Sequence, residues 1–164
     1  MKLHLLMFYQ DDPKKCTAAK MIKFGLAKST RKIPPSSIVL DPFSDNILLP
    51  SDRFLANNLV GIDCSWNQAQ QAFSRRYNGL NRKLPPLLAG NPVNYAKFDK
   101  LTTVEALSAA LFILGFKENS LSLLDKFKWG HTFYELNQNL LEEYRKIESF
   151  SQIDKILKEY GLSH

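Results

Sequence analysis

LVGIDCSW at residues 59–66 is the stretch on which the fold turns. Leu59 to Cys64 form a short apolar run that carries a carboxylate, Asp63, near its end, which reads as a core strand. Ser65 is placed to cap a helix, and Trp66, Ala69, Phe73 and Tyr77 then recur at helical spacing until Asn78-Gly79 stops them. A strand running straight into a helix is the unit of an α/β layer fold. Working outward, Leu3 to Tyr9, Ile38 to Leu40 and Leu87 to Ala89 are further candidate strands. Ala18, Met21, Ile22 and Leu26 mark a helix, and Pro34-Pro35 and Pro85-Pro86 punctuate loops.

Beyond Asn91-Pro92 the strand signals stop. Thr102 and Glu105 make a T-x-x-E capping box ahead of Val104, Leu107, Ala110, Leu111 and Leu114, and Gly115 supplies the stop. A long helix carries Phe133, Leu136, Leu140, Tyr144 and Ile147, and a last one carries Ile153, Ile156, Leu157 and Tyr160. The expected architecture is an N-terminal α/β sheet domain over residues 1–91 and a C-terminal all-α domain over residues 92–164. At 164 residues and 45% hydrophobic content the chain can bury a real core.

The net charge of +6 is unevenly spread. Residues 1–90 hold thirteen Lys and Arg against six Asp and Glu, and residues 91–164 hold nine against ten. Lys14, Lys15, Lys20, Lys23, Lys28 and Arg31 lead the basic half, joined by Lys32, Arg53, Arg75, Arg76, Arg82 and Lys83. They make either a solvated face or a surface for a polyanion such as RNA. Two cysteines, Cys16 and Cys64, and three scattered histidines imply no metal and no disulfide framework. The opening LHLLMFY is interrupted by His4 and followed by QDDPKK, so it reads as a buried strand instead of a signal peptide or membrane span, with the cytoplasm as default compartment.

Chemistry is expected at the strand-to-helix junctions, where open α/β sheets bind ligands. At the first, Asp11 to Thr17, the hydroxyl of Thr17 and nearby backbone N–H groups either hold an anion or merely cap the helix. At the second, Trp66 is either a packed aromatic or a face for an adenine ring or a sulfonium, while capping by Ser65 frees Asp63 for another role. Neither G-x-G-x-x-G nor a P-loop occurs, which leaves dinucleotide and nucleoside triphosphate readings without support. Asn91 to Tyr95 reads as a polar linker, Trp129 to Phe133 as a packing corner, and both cysteines as packing groups with no histidine beside them.

Seven segments in order carry a more specific signal: DPKKCT at 12–17, LDP at 40–42, LLPSD at 48–52, DCSW at 63–66, LPPLLAGNPVNY at 84–95, KLTTVEA at 100–106 and FKWGHTFYELN at 127–137. Together they resemble the ribosomal RNA aminocarboxypropyltransferase family, in a compact archaeal-type form without the acidic tail of eukaryotic relatives. The resemblance implies a SPOUT-like, knotted fold, S-adenosylmethionine as cofactor, and small-subunit rRNA or a pre-ribosomal particle as partner of a monomeric enzyme. It implies that Thr17 and the backbone at Thr103 hold the methionyl carboxylate. Leu40, Pro42, Trp66, Leu101 and Ala106 would wall the adenine, with backbone groups near Ile62 on the ribose and around Leu87 on the adenine edge. Trp66 and Ala69 would cover the methyl group, and Asp63 would be the catalytic residue, as base or as sulfonium stabiliser. The implied reaction moves the 3-amino-3-carboxypropyl group to N3 of a pseudouridine and releases methylthioadenosine. Its rivals are a SPOUT-type RNA methyltransferase and a non-catalytic rRNA-binding assembly factor. Gly90 stands where the resemblance leads one to expect a second alanine.

Overall fold

The computed structural model describes residues 1–9, 12–74 and 76–162, with Trp66 described in its backbone alone; Asp11 and Arg75 therefore lie outside the described residues. Five parallel strands form one sheet: β1 (Lys2–Met7), β2 (Lys28–Thr30), β3 (Ser37–Leu40), β4 (Asn58–Asp63) and β5 (Leu80–Arg82), in the order β2-β1-β4-β3-β5. β4, read from LVGID, is the central strand. Its partner β1 runs beside it from Lys2 against Asn58 to Met7 against Asp63, so both strands end at the same carboxyl edge.

Alternate residues face opposite sides of this sheet. Leu5, Ile38, Leu40 and Leu59 enter the main core with Leu107, Phe133 and Tyr144. Val39, Val60, Ile62 and Tyr77 make a smaller cluster on the other face. Two-sided burial is why Leu59 to Ile62 reads as a continuous apolar run and not as an alternating one.

The helices are α1 (Thr17–Lys23), a short α2 (Ala69–Ala72) behind a 3-10 turn at Trp66–Gln68, α3 (Thr103–Ile113), α4 (Lys117–Leu124), α5 (Gly130–Tyr144) and α6 (Ile153–Glu159). α3 is the hub. It is buried from Val104 to Ile113 except at Ala106 and packs on β4, α1, α4 and α5, as expected of a helix that is apolar all round. Its expected capping box is present, with Thr102 Oγ1 accepting from the Glu105 N–H and Glu105 Oε1 accepting from the Thr102 N–H. Gly61 lets α3 lie close to β4: a Cβ there would stand 3.2 Å from both Leu5 Cδ2 and Thr103 Cγ2.

Several expectations need correction. Leu87 and Ala89 are buried and Leu88 is half-buried, yet the stretch makes only an isolated bridge, Leu88 to Phe98, and joins no ladder of the sheet. Its backbone groups go to other partners: Asn137 of α5 bonds both the N–H and the C=O of Leu88 at 2.8 and 2.7 Å, Leu87 and Ala89 bond the backbone of Ala96, Lys97 and Asp99, and just before them the Tyr144 hydroxyl donates to the Pro86 carbonyl at 2.8 Å. Buried backbone polar groups need partners, and here helix side chains and a returning loop stand in for a strand of the sheet. The helix expected from Trp66 to Tyr77 ends at Ala72, and Tyr77 instead folds back to donate to the Ala72 carbonyl at 2.6 Å. β2 (KST) and β5 (LNR) have no apolar run to announce them, being three-residue edge strands of mainly polar sequence. α4 was likewise missed. Trp129 to Phe133 does pack as a corner, through buried Gly130 and Phe133 and the half-buried Trp129, with His131 exposed. Among the described residues no helix is long and apolar enough to cross a membrane.

Candidate active site

Outside the carboxyl ends of β3 and β4 opens a cleft of about 550 Å³, within the range of small-molecule sites. The chain order reverses about the central strands here, which is where open parallel sheets place ligands. Of the residues expected at the cofactor, Leu40, Pro42, Ile62, Ala69, Leu101, Thr103 and Ala106 line this cleft. They come from four separate segments and converge only in the fold.

Two expected residues are placed differently, and the side chain of a third lies outside the described residues. Thr17 is buried at the start of α1, behind the cleft wall, and its hydroxyl accepts from the Val104 N–H of α3 at 3.4 Å. Leu87 is fully buried in the main core, and its carbonyl accepts from the Asp99 N–H. The Trp66 side chain lies outside what is described, while its backbone turn sits between the cleft residues Cys64 and Asn67.

Asp63 ends β4 and is only 5% exposed. One carboxylate oxygen accepts from the Thr103 hydroxyl at 2.9 Å and the other from the Cys16 thiol at 3.3 Å, so it ties the β1–α1 junction to the start of α3. Cys16, not Thr17, is the N-cap of α1, and its sulfur accepts from the Ala19 N–H. Burial pushes its thiol up to about 11, against a smaller lowering by the Ala19 bond, with Asp63 adding to the rise. A neutral, hydrogen-bonded thiol is a poor nucleophile, in keeping with its reading as a packing group.

Asp41 passed unnoticed inside LDP, yet it lines the cleft at 8% exposure. Burial holds its carboxyl above the usual carboxylate range, offset in part by the Phe43 N–H that it accepts at 2.9 Å. Phe43, Phe73, Phe98 and Lys100 are further lining groups without a distinguishing local pattern.

The basic residues divide by environment. Lys14, Lys15, Lys23, Lys28 and Arg31 are exposed and Lys20 is half-buried, all between the end of β1 and the turn after β2, with Phe24 51% exposed among them. Arg82 is instead locked to the buried Asp52 by two bonds of 3.1 and 3.2 Å, and Arg53 lies over the Phe54 and Phe116 rings. Charge counting along the sequence could not make that distinction.

Residues 38–161 match a family described as "Ribosome biogenesis protein, C-terminal". A protein of Methanococcoides burtonii named 16S rRNA aminocarboxypropyltransferase is 44% identical over 96% of this chain and 94% of its own length. One of the same name from Sulfurisphaera tokodaii is 42% identical over 97% of this chain and 95% of its own. The chain belongs to the 16S rRNA aminocarboxypropyltransferase family.

The fold of this family member agrees with a solved relative. The SAM-dependent rRNA:acp-transferase Tsr3 from Vulcanisaeta distributa superposes with a TM-score of 0.88 at 37% identity, covering 99% of this chain and 90% of that one. Residues 1–32 also match a "Possible Fer4-like domain in RNase L inhibitor, RLI". That stretch has a single cysteine, Cys16, whose thiol is already donated to Asp63, whereas an iron–sulfur cluster takes about four thiolates. The donor set of this aminocarboxypropyltransferase-family chain does not fit a cluster.

Proposed function

We propose that the protein is a cytoplasmic enzyme that transfers the 3-amino-3-carboxypropyl group of S-adenosylmethionine to N3 of a pseudouridine, or N1-methylpseudouridine, in small-subunit rRNA. The observation that carries the reading is the convergence of Leu40, Pro42, Ile62, Ala69, Leu101, Thr103 and Ala106 on one cleft at the carboxyl edge of the sheet. Apolar side chains dominate that set, which suits an adenine ring, and the N-terminus of α3 suits a carboxylate. When bound, S-adenosylmethionine supplies an electrophilic γ-carbon: the N3–C bond forms as the C–S bond opens, sulfur keeps the electron pair, and methylthioadenosine leaves.

The chain's own residues bind and orient. The Val104 and Glu105 N–H groups of α3 are engaged by Thr17 and Thr102, and the Thr103 N–H is engaged by neither, which supports Thr103 as the backbone donor to the methionyl carboxylate. Thr17 then acts by fixing that helix start. Leu40, Pro42, Trp66, Leu101 and Ala106 wall the adenine, backbone groups near Ile62 read the ribose and those around Leu87, other than its own carbonyl, which Asp99 takes, read the adenine edge, and Trp66 with Ala69 shields the methyl group. Shielding one carbon and aligning the other with the incoming base chooses the product by geometry. Asp63, with its oxygens on Thr103 and Cys16, acts as a fixed charge beside the reacting end, and the N3 proton passes to solvent. Lys14, Lys15, Lys20, Lys23, Lys28 and Arg31 bind RNA phosphates. In this reading the sheet part, 1–91, and the helical part, 92–164, complete one site in a monomer, on a SPOUT-like knotted backbone.

The test supplies cofactor labelled in the methyl group or in the carboxyl carbon to small-subunit rRNA from cells lacking the enzyme. Carboxyl label should enter the RNA and methylthioadenosine should accumulate. Entry of methyl label with S-adenosylhomocysteine would make the protein a methyltransferase. Entry of neither would make it a binding factor.

A further inference from the structure

Residues 91–99 are more than a linker between the sheet and α3. Their base is held by one carboxylate: Glu105, fully buried, accepts from the Gly90 N–H at 2.7 Å, the Asn91 side-chain amide at 2.8 Å, and the Thr102 N–H and hydroxyl at 2.9 Å each. Asn91 is itself buried and accepts from the Asn94 N–H at 3.0 Å, closing a tight turn. Backbone bonds between Ala89 and both Lys97 and Ala96, and between Asp99 and Leu87, pin the returning limb. Two non-glycine residues in this limb, Ala96 (φ 60°) and Asp99 (φ 57°), take the left-handed conformation, which non-glycine residues adopt only where their surroundings impose it.

So rigid a loop nevertheless turns apolar groups outward, with Val93 84% and Tyr95 56% exposed. The loop runs directly into Phe98, Asp99 and Lys100, which line the cleft. Lys97 and Lys100 are exposed on either side of Phe98-Asp99, and Lys83 joins Lys100 in the lining, whose carboxylates are Asp99 and the buried Asp41. A preorganised exposed aromatic bordered by cations is the construction used to stack an unpaired base between backbone phosphate contacts.

We propose that Tyr95 is a stacking platform for an unpaired RNA base adjacent to the nucleotide that enters the cleft, with Lys97 and Lys100 on its flanking phosphates. The proposal rests on the rRNA reading above and adds to it a contact outside the cofactor site and outside the basic surface of α1 and β2. An RNA substrate would then have to be single-stranded around the target, and RNA duplex should compete poorly.

The experiment measures the affinity of wild type, Tyr95→Ala and Tyr95→Phe for small-subunit rRNA from cells lacking the enzyme, across a salt series, with S-adenosylmethionine binding followed by calorimetry. Loss of the ring should weaken RNA binding by about 5- to 100-fold, the range for one base–aromatic stack. Tyr95→Phe should bind as wild type, cofactor affinity should not move in either variant, and the slope of affinity against salt should stay the same because no phosphate contact is lost. Wild-type RNA affinity in Tyr95→Ala would overturn the proposal, as would a Tyr95→Phe variant as weak as Tyr95→Ala, which would make the hydroxyl the contact. A wild-type protein whose RNA affinity depends on the Tyr95 ring but which transfers no carboxyl label would overturn the reaction and sustain the stack.

Discussion

Thr103 and Asp63, forty residues apart, are joined by a 2.9 Å hydrogen bond from the Thr103 hydroxyl to Asp63 Oδ1. The bond fastens the first residue of α3 to the last residue of β4, and a third element joins through the Cys16 thiol. A buried carboxylate is tolerable only with such donors, and each donor is thereby held in place.

Thr103→Val removes one donor from a buried charge while keeping the side-chain shape. Bonds to charged groups contribute about 1.5–3 kcal/mol, and a loss of that order is expected in urea unfolding. Thr103→Ser should recover most of it. Thr103→Val should also weaken cofactor binding, measured by calorimetry on the folded protein.

Gly90→Ala tests a close contact that the sequence resemblance passed over. A Cβ at position 90 would lie 2.5 Å from the backbone N and Cα of Phe133 in α5, so the helix must move away. Overpacking of this kind costs about 1–3 kcal/mol. The midpoint of chemical unfolding should fall accordingly.

Stability should decline in alkali through Cys16. Its folded-state pKa, about 11, lies above the ordinary 9.0, so the folded protein holds this proton more tightly than the unfolded chain does. The contribution is complete below pH 9 and is lost as pH rises through about 11. Cys16→Ala lacks the helix cap at every pH but should show a flatter fall over that window. Equal slopes in the two proteins, read from thermal unfolding at matched salt, would mean that the thiol does not titrate there.

The basic surface on α1 and β2 has its own signature. Replacing Lys20, Lys23 and Lys28 by alanine should weaken binding to small-subunit rRNA and reduce the salt slope by up to about one unit for each lost phosphate contact. That distinguishes it from Tyr95, whose loss leaves the slope alone.

Ala106 is the one residue between Val104 and Ile113 of α3 that is not buried, because it faces the cleft. Ala106→Phe would fill that space from outside the core. Cofactor affinity should fall by roughly 1–3 kcal/mol, the usual cost of overfilling a packed site, while the melting temperature changes little.

By itself the sequence determined what rests on neighbours along the chain. The apolar run at Leu59 to Ile62 made β4, Thr102 and Glu105 three residues apart made the cap of α3, and the stripe through Phe133, Leu140 and Tyr144 made α5. Periodicity and caps are set within one or two turns, so they can be read locally. The edge strands β2 and β5 could not, since three residues with at most one apolar side chain among them gain their structure from the strand beside them. Only the tertiary structure decided that Leu88 is fastened by Asn137 and Pro86 by Tyr144 instead of by a strand of the sheet, that Glu105 grips Gly90 and Asn91 as well as its own helix, and that Asp63 meets Thr103 and Cys16. Those partners lie from 14 to 58 residues apart, and a pairing at that range depends on how whole elements pack, which no local pattern encodes.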